Sequence, residues 1–280
     1  MTIVFYSTFN NEYQVKVLLE SIKYSGLDCN ILYFTIGFNS EITFPKLTTV
    51  GHPYLDLPNL ILYKPTICKR ALEYDDKIIY VDTDIIFSKS FTLEKLKVYF
   101  EYITNYPLGS RGPVAYPFTY YAGEGWEYIY SEIKLRDYYN IPDRTTDYIY
   151  GCFLLFNKEC LDFIKEWESI VNNKYFLESH LEYFPFQDET ALNVLLWKHK
   201  YNMNLGFLFL NTDDFDTFKE YEEKEKTLDE YNNFTDYYVY DNVNTILLFH
   251  GIKNKNESQK YIKYFNENSP GYPRSFTYPT

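Results

Sequence analysis

Positive charge is scarce in this chain. Its 27 Lys and Arg face 39 Asp and Glu, a formal net charge of −12 over 280 residues. That balance argues against nucleic acid and anionic membranes as partners, because both are held by basic patches. Glycine is thin as well, at 11 residues. No Gly-x-x-x-x-Gly-Lys-Ser/Thr or Gly-x-Gly-x-x-Gly pattern occurs, which excludes a P-loop and a dinucleotide fingerprint. A Gly-x-Ser-x-Gly nucleophile elbow is missing too. No apolar run approaches the roughly 20 residues of a membrane span. The opening segment Met1–Tyr6 reads as a strand and lacks the basic region and cleavage site of a signal peptide. Only four cysteines are present, Cys29, Cys68, Cys152 and Cys160, and their spacing does not suit zinc. They read as reduced, mostly buried thiols of a cytoplasmic protein.

What the chain does have is apolar and aromatic bulk. Hydrophobic residues make up 46 %, enough for a sizeable core, and 32 Tyr and 23 Phe carry the aromatic share to 21 %. That bias reads as the mark of an A/T-rich coding genome, viral or low-GC bacterial, more than as a sugar-binding surface. The length suits one large domain. The first half alternates: strand Thr2–Tyr6, helix Asn11–Tyr24, strand Asn30–Ile36, helix Leu60–Tyr74, strand Lys77–Val81. This order predicts an α/β fold with a mostly parallel central sheet flanked by helices. Further on, helices are predicted over Thr92–Tyr102, Trp126–Tyr139, Lys158–Asn172 and Thr190–Lys200. Strands are predicted over Val114–Phe118, Tyr148–Phe156 (interrupted by Gly151), Leu205–Leu210 and Thr245–Phe249. Asp213–Tyr240 is acidic and aromatic and reads as a long loop.

Three segments carry chemistry. The first is Lys77-Ile78-Ile79-Tyr80-Val81, which runs into Asp82-Thr83-Asp84. If the strand continues through the triplet, residues i and i+2 point the same way and both carboxylates emerge together. Such a pair repels unless a cation lies between, and its hard oxygens suit Mg²⁺ or Mn²⁺. In an α/β sheet, ligands sit at the carboxyl ends of the strands, where this triplet falls. The second segment is Phe186-Gln187-Asp188-Glu189-Thr190-Ala191-Leu192-Asn193, acidic residues at the start of an apolar helix. The third, Leu247-Leu248-Phe249-His250-Gly251-Ile252-Lys253, is a strand that delivers an imidazole.

In this order and spacing the segments resemble the GT-A (Rossmann-like) nucleotide-diphospho-sugar transferases, especially the retaining ones. Lys64-Pro65, Arg70-Ala71-Leu72 and Ile78 to Asp84 look like the donor half of the glycogenin-like family 8. Tyr150–Phe156 is similar to that family's small-residue strand, and His250-Gly251-Ile252-Lys253 to a shortened form of its metal-binding His motif. The Asp188-Glu189 run is closer to family 6, the blood-group A/B and α-1,3-galactosyltransferases. No Gly-rich loop of the sugar nucleotidyltransferases follows the first strand.

The resemblance implies a single GT-A domain over 1–280, with a donor half about 1–110, an acceptor half about 111–253 and a tail over 254–280. It implies transfer of a sugar from a nucleotide-sugar, a UDP-sugar by expectation, to a glycan, protein or lipid acceptor. By resemblance, Asp84, Asp82 and His250 hold Mn²⁺ or Mg²⁺, and Lys64, Thr83 and Lys253 face the nucleotide or its diphosphate. Thr8, Asn10 and Tyr13 lie where the base sits. Glu189 attacks or stabilises the anomeric carbon with retention. Asp188 binds the acceptor, or serves as the base of an inverting reaction.

Each assignment has a plainer counterpart. Asp82–Asp84 also fits a strand-end turn, His250 a buried core histidine, Lys64 a solvated lysine, and Glu189 a carboxylate favoured by a helix dipole. Two other functions compete. Val81-Asp82-Thr83-Asp84 also resembles the first motif of haloacid-dehalogenase-type phosphatases, with Asp213-Asp214 as the Mg²⁺ residues, though that strand normally opens the fold. A non-catalytic sugar-binding module derived from a transferase is the other.

Overall fold

The computed structural model describes residues 1–57, 59–87, 93, 108–110, 133–143, 151–173, 187–199, 237–240, 246–250, 255, 258–259 and 262–263, with the backbone alone at 108–110, 237–240 and 246–250. The strands are β1 (Thr2–Ser7), β2 (Asn30–Ile36), β3 (Leu47–His52), β4 (Lys77–Val81), β5 (Ile85–Phe87), β6 (Leu108–Ser110), β7 (Phe153–Asn157), β8 (Tyr237–Tyr240) and β9 (Ile246–His250). The principal helices are α1 (Glu12–Ser25), α2 (Lys64–Ala71), α3 (Leu161–Val171) and α4 (Gln187–Lys198).

Six strands form one sheet in the order β3-β2-β1-β4-β7-β6. From β3 across to β4 all neighbours are parallel. β7 runs antiparallel to both β4 and β6, so one strand of the six is reversed. After β1 the chain moves outward to β2 and β3, then returns to β4 on the other side of β1. The switch point therefore lies between β1 and β4, and a crevice opens at their carboxyl ends. A second, antiparallel sheet has the order β5-β9-β8.

The period of two explains the layering. Val4, Tyr6, Leu32, Phe34, Ile78, Tyr80, Leu154 and Phe156 face one core, with side chains of α2, α3 and α4. Their neighbours Ile3, Phe5, Ile31, Tyr33, Ile79, Val81, Phe153 and Leu155 face the other, against α1. In α1 the buried Val15, Leu18, Leu19 and Ile22 follow the i, i+3, i+4, i+7 spacing of an amphipathic helix. Gly26 ends it in the left-handed region at φ 76°, and its amide turns back to the Ile22 and Lys23 carbonyls. From Thr190 to Trp197, α4 is buried all round, since it packs inside the layer.

Several boundaries differ from the sequence reading. Leu60–Tyr74 is not one helix: a 3₁₀ turn over Leu60–Tyr63 leads into α2, with Pro65 in its first turn. Pro65 has no N–H to continue an α-helical ladder backward, but it suits a helix start. β3 escaped the reading because Leu47-Thr48-Thr49-Val50-Gly51-His52 is half exposed at the sheet edge and shows no apolar alternation. Asp188 and Glu189 lie inside the first turn of α4 rather than ahead of it. β8 occupies the last four residues of the segment expected to be an acidic loop, Asp213–Tyr240. The expected elements Thr92–Tyr102, Val114–Phe118 and Leu205–Leu210 lie outside the described residues, apart from helical Leu93.

The layering has a direct test. Phe156 is fully buried against Trp167, with ring centroids 6.3 Å apart, whereas Phe9 is 72 % exposed. Urea unfolding should show Phe156→Ala losing about 3–5 kcal/mol and Phe9→Ala changing by no more than about 0.5 kcal/mol.

Candidate active site

β4 ends at Val81, and Asp82-Thr83-Asp84 form a turn rather than a continued strand. The Ile85 amide closes it on the Asp82 carbonyl at 3.2 Å, and the Asp82 amide donates to the Cys152 carbonyl at 2.8 Å. The turn carries the chain from the large sheet into β5 of the small one. The extended geometry expected for the triplet thus gives way to the need to change sheets. Tyr80 and Asp82 still share a face, and the Tyr80 hydroxyl donates to Asp82 Oδ1 at 2.6 Å. On the α1 side, Thr83 Oγ1 donates to Gln14 Oε1 at 2.9 Å.

On the α2 side, the centre of the site is Lys64. It is 4 % exposed, so it is no solvated helix-start lysine. Its ammonium lies 2.9 Å from Asp188 Oδ2 and 3.3 Å from Asp82 Oδ1, and it donates to the Gly151 carbonyl at 3.0 Å. The Asp188 contact is an ion pair, and Asp188 Oδ2 accepts no aligned hydrogen bond from the described residues. The Tyr80 ring supports the ammonium at 5.3 Å. Burial alone would pull the Lys64 pKa down, but Asp188 and Asp82 outweigh it and hold the ammonium well above its ordinary value.

Glu189 adjoins this network. The Gly151 amide donates to Glu189 Oε2 at 2.7 Å, and Asn193 Nδ2 donates to the Glu189 carbonyl at 2.8 Å. Trp167 Nε1 anchors the same turn through the Asp188 carbonyl at 2.8 Å. Burial, and then the Asp82 and Glu189 charges, push the Cys152 thiol well up, so it stays protonated beside the site. Among the described residues, Asp82, Asp84, Asp188 and Glu189 outnumber the Lys64 cation, so these residues favour positive charge.

Of the residues expected from sequence, Lys64, Asp82 and Asp188 meet directly, and Glu189 joins them through Gly151. Thr8, Asn10 and Tyr13 lie after β1 at the same end of the sheet, with Asn10 exposed and Thr8 and Tyr13 half-buried. β9 pairs with β5 in a register that sets His250 opposite Ile85, the residue after Asp84. Topology alone brings the first and third segments together. Lys253 and Asp213-Asp214 lie outside the described residues. Among the described side chains, no three of His, Cys, Asp and Glu form a metal-sized group. The carboxylates of the turn nevertheless have the hard-oxygen chemistry that Mg²⁺ or Mn²⁺ requires. Sequence reasoning missed Gln14, Tyr80, Gly151 and Trp167. Gly151 alone left a signal, as a glycine interrupting a strand, which often marks close backbone approach.

No family model matches the chain, and no curated protein matches it in sequence. Solved structures do. The chain is similar over 98 % of its own length and 98 % of the other to the galactosyltransferase LgtC crystallised with donor and acceptor sugar analogs, at 12 % identity and a TM-score of 0.52. It also matches an LgtC active-site mutant, Q189E, over 70 % of each chain at 15 % identity and a TM-score of 0.44. The fold is the GT-A glycosyltransferase fold, with a mostly parallel sheet flanked by helices. Among the described residues no helix is long and apolar enough to cross a membrane. The fold does not support the phosphatase alternative.

Removing the Lys64 cation should expose how much the site depends on it. Lys64→Met leaves two carboxylates facing each other and should cost about 3–5 kcal/mol at neutral pH. Because the folded pKa of Lys64 is raised, its contribution is complete below the ordinary lysine value of about 10.4 and is lost as pH rises through the higher folded value. Thermal unfolding should show a gap between wild type and Lys64→Met that is flat from about pH 7 to 10 and narrows above. Equal stability at pH 7 would contradict the buried ion pair.

Proposed function

We propose that this chain is a metal-dependent glycosyltransferase that moves a sugar from a nucleotide-sugar, a UDP-sugar in our reading, to an acceptor hydroxyl with retention of configuration. One observation carries the reading. In a GT-A fold, the Asp82–Asp84 turn at the switch point adjoins Lys64, Asp188 and Glu189, and the β5–β9 register sets His250 opposite the residue after Asp84. The whole chain is read as one transferase unit.

In this reading the base lies near Thr8, Asn10 and Tyr13. Asp84, Asp82 and His250 would hold Mn²⁺ or Mg²⁺, which supplies positive charge at the departing diphosphate when bound. Thr83 and Lys253 face the nucleotide. Lys64 serves as the counter-ion that holds Asp82 and Asp188 close to each other. Glu189 presents its carboxylate to the anomeric carbon. Asp188 is 3 % exposed and ion-paired, a poor place for a general base, and this favours Glu189 and retention over an inverting reaction through Asp188. The acceptor, a glycan, protein or lipid, meets the C-terminal half.

The decisive experiment is a thermal-shift screen of nucleotide-sugars with and without Mn²⁺. Specific binding stabilises the native state by RT ln(1 + [L]/Kd), so a ligand at about 100 times its Kd adds about 2.7 kcal/mol. UDP or a UDP-sugar should shift Tm strongly only with the ion, and Asp84→Asn should abolish the ion-dependent part. His250→Ala should weaken Mn²⁺ binding and leave the fold intact. Full nucleotide binding in EDTA would rule out the assigned site.

A carboxylate that acts in the transition state affects turnover more than donor affinity. Glu189→Ala should keep UDP-sugar binding within a few-fold and cut transfer by roughly two orders of magnitude. Normal turnover with an inverted product, read by NMR, would transfer the role to Asp188.

A further inference from the structure

Gly151 lies where three charged side chains meet. A Cβ placed on it would sit 3.1 Å from Lys64 Nζ, 3.6 Å from Asp188 Oδ2 and 3.7 Å from Glu189 Oε2. Its polar groups serve opposite partners: the carbonyl accepts from Lys64 Nζ at 3.0 Å, and the amide donates to Glu189 Oε2 at 2.7 Å. Backbone freedom is not the reason for glycine here, because the positive-φ glycines among the described residues are Gly26 and Gly37. What matters at 151 is the missing side chain.

The rest of the Glu189 setting is rigid. Its backbone belongs to the first turn of α4, its carbonyl accepts from Asn193, and the preceding carbonyl accepts from Trp167. A glutamate side chain keeps several torsions free even when its backbone is fixed. The Gly151 amide supplies a fixed donor for that carboxylate. A methyl group at 151 would press on the Lys64 ammonium, which its two carboxylate partners constrain.

We propose that Gly151 is the positioning residue for Glu189. Its amide holds the carboxylate in one orientation, and its lack of a Cβ leaves room for Lys64 Nζ between Asp82 and Asp188. The proposal rests on the reading of Glu189 as the reacting carboxylate of a sugar transfer. It adds a backbone group that sets where this carboxylate stands. A Cβ on residue 151 would force this residue and Lys64 Nζ apart by a few tenths of an ångström. Because the same residue's amide holds Glu189, that displacement should cost about tenfold in rate, given that a misplacement of about 1 Å can cost roughly a hundredfold.

The test has two arms, both on the full chain. In the first, amide hydrogen exchange at Gly151 is followed by NMR in wild type and Glu189→Ala. Loss of the acceptor should speed exchange at Gly151 by about tenfold or more while the β7 amides keep their rates. In the second, transfer is measured for Gly151→Ala, Glu189→Gln and the double variant. Gly151→Ala should lower kcat about tenfold with donor KM within about threefold, and should add less than about twofold on top of Glu189→Gln, because both act through one carboxylate.

Unchanged exchange at Gly151 in Glu189→Ala overturns the proposal, and so does a double variant in which the two losses multiply in full. Should Gly151→Ala fail to fold, the exchange arm still decides. A chain that shows the exchange response yet transfers sugar from no nucleotide-sugar overturns the transferase reading alone.

Discussion

A single buried ammonium holds the site end of this protein together. Lys64 Nζ draws in Asp82 from the end of β4, Asp188 from the first turn of α4 and the Gly151 carbonyl from the approach to β7. Desolvating one cation and two carboxylates is expensive, and the arrangement holds only because each charge has a partner within 3.3 Å. Tyr80 stabilises the same cluster twice, with its ring against the ammonium and its hydroxyl on Asp82. The cluster is overdetermined, and Lys64 holds its acidic members close together.

Sheet topology makes that convergence possible. The return from β3 to β4 across β1 opens the crevice, and the reversed β7 brings its leading end beside the trailing end of β4. Had β7 run parallel to β4, Gly151 and Cys152 would sit at the opposite edge of the sheet. The Asp82–Asp84 turn then hands the chain to the small sheet, where β9 brings the His250 position back to it. The turn links the two sheets and supplies the acidic groups, so geometry and chemistry are served by the same three residues.

Much of the donor half was legible in the residues. β1, β2 and β4 show in their apolar runs because both faces of a central strand are covered, and α1 shows in its 3.6-residue spacing. The carboxylate triplet stood out because it follows such a strand. Edge strand β3 was invisible, since a half-exposed strand carries little hydrophobic signal. The break at Pro65 was legible in principle from the missing N–H, but the apolar residues on either side masked it.

The sequence by itself determined the local periods, the acidic character of the site and the order of its three segments, because these depend on neighbouring residues alone. Tertiary structure decided which charges meet. That Lys64 is buried rather than solvated follows from contacts with Asp188 and Gly151, the latter 87 positions away. No local pattern encodes such a pairing. The reversal of β7 and the role of a glycine with no side chain where three charged side chains meet were likewise fixed only when distant segments packed, since desolvation and Coulomb attraction act through space and not along the chain.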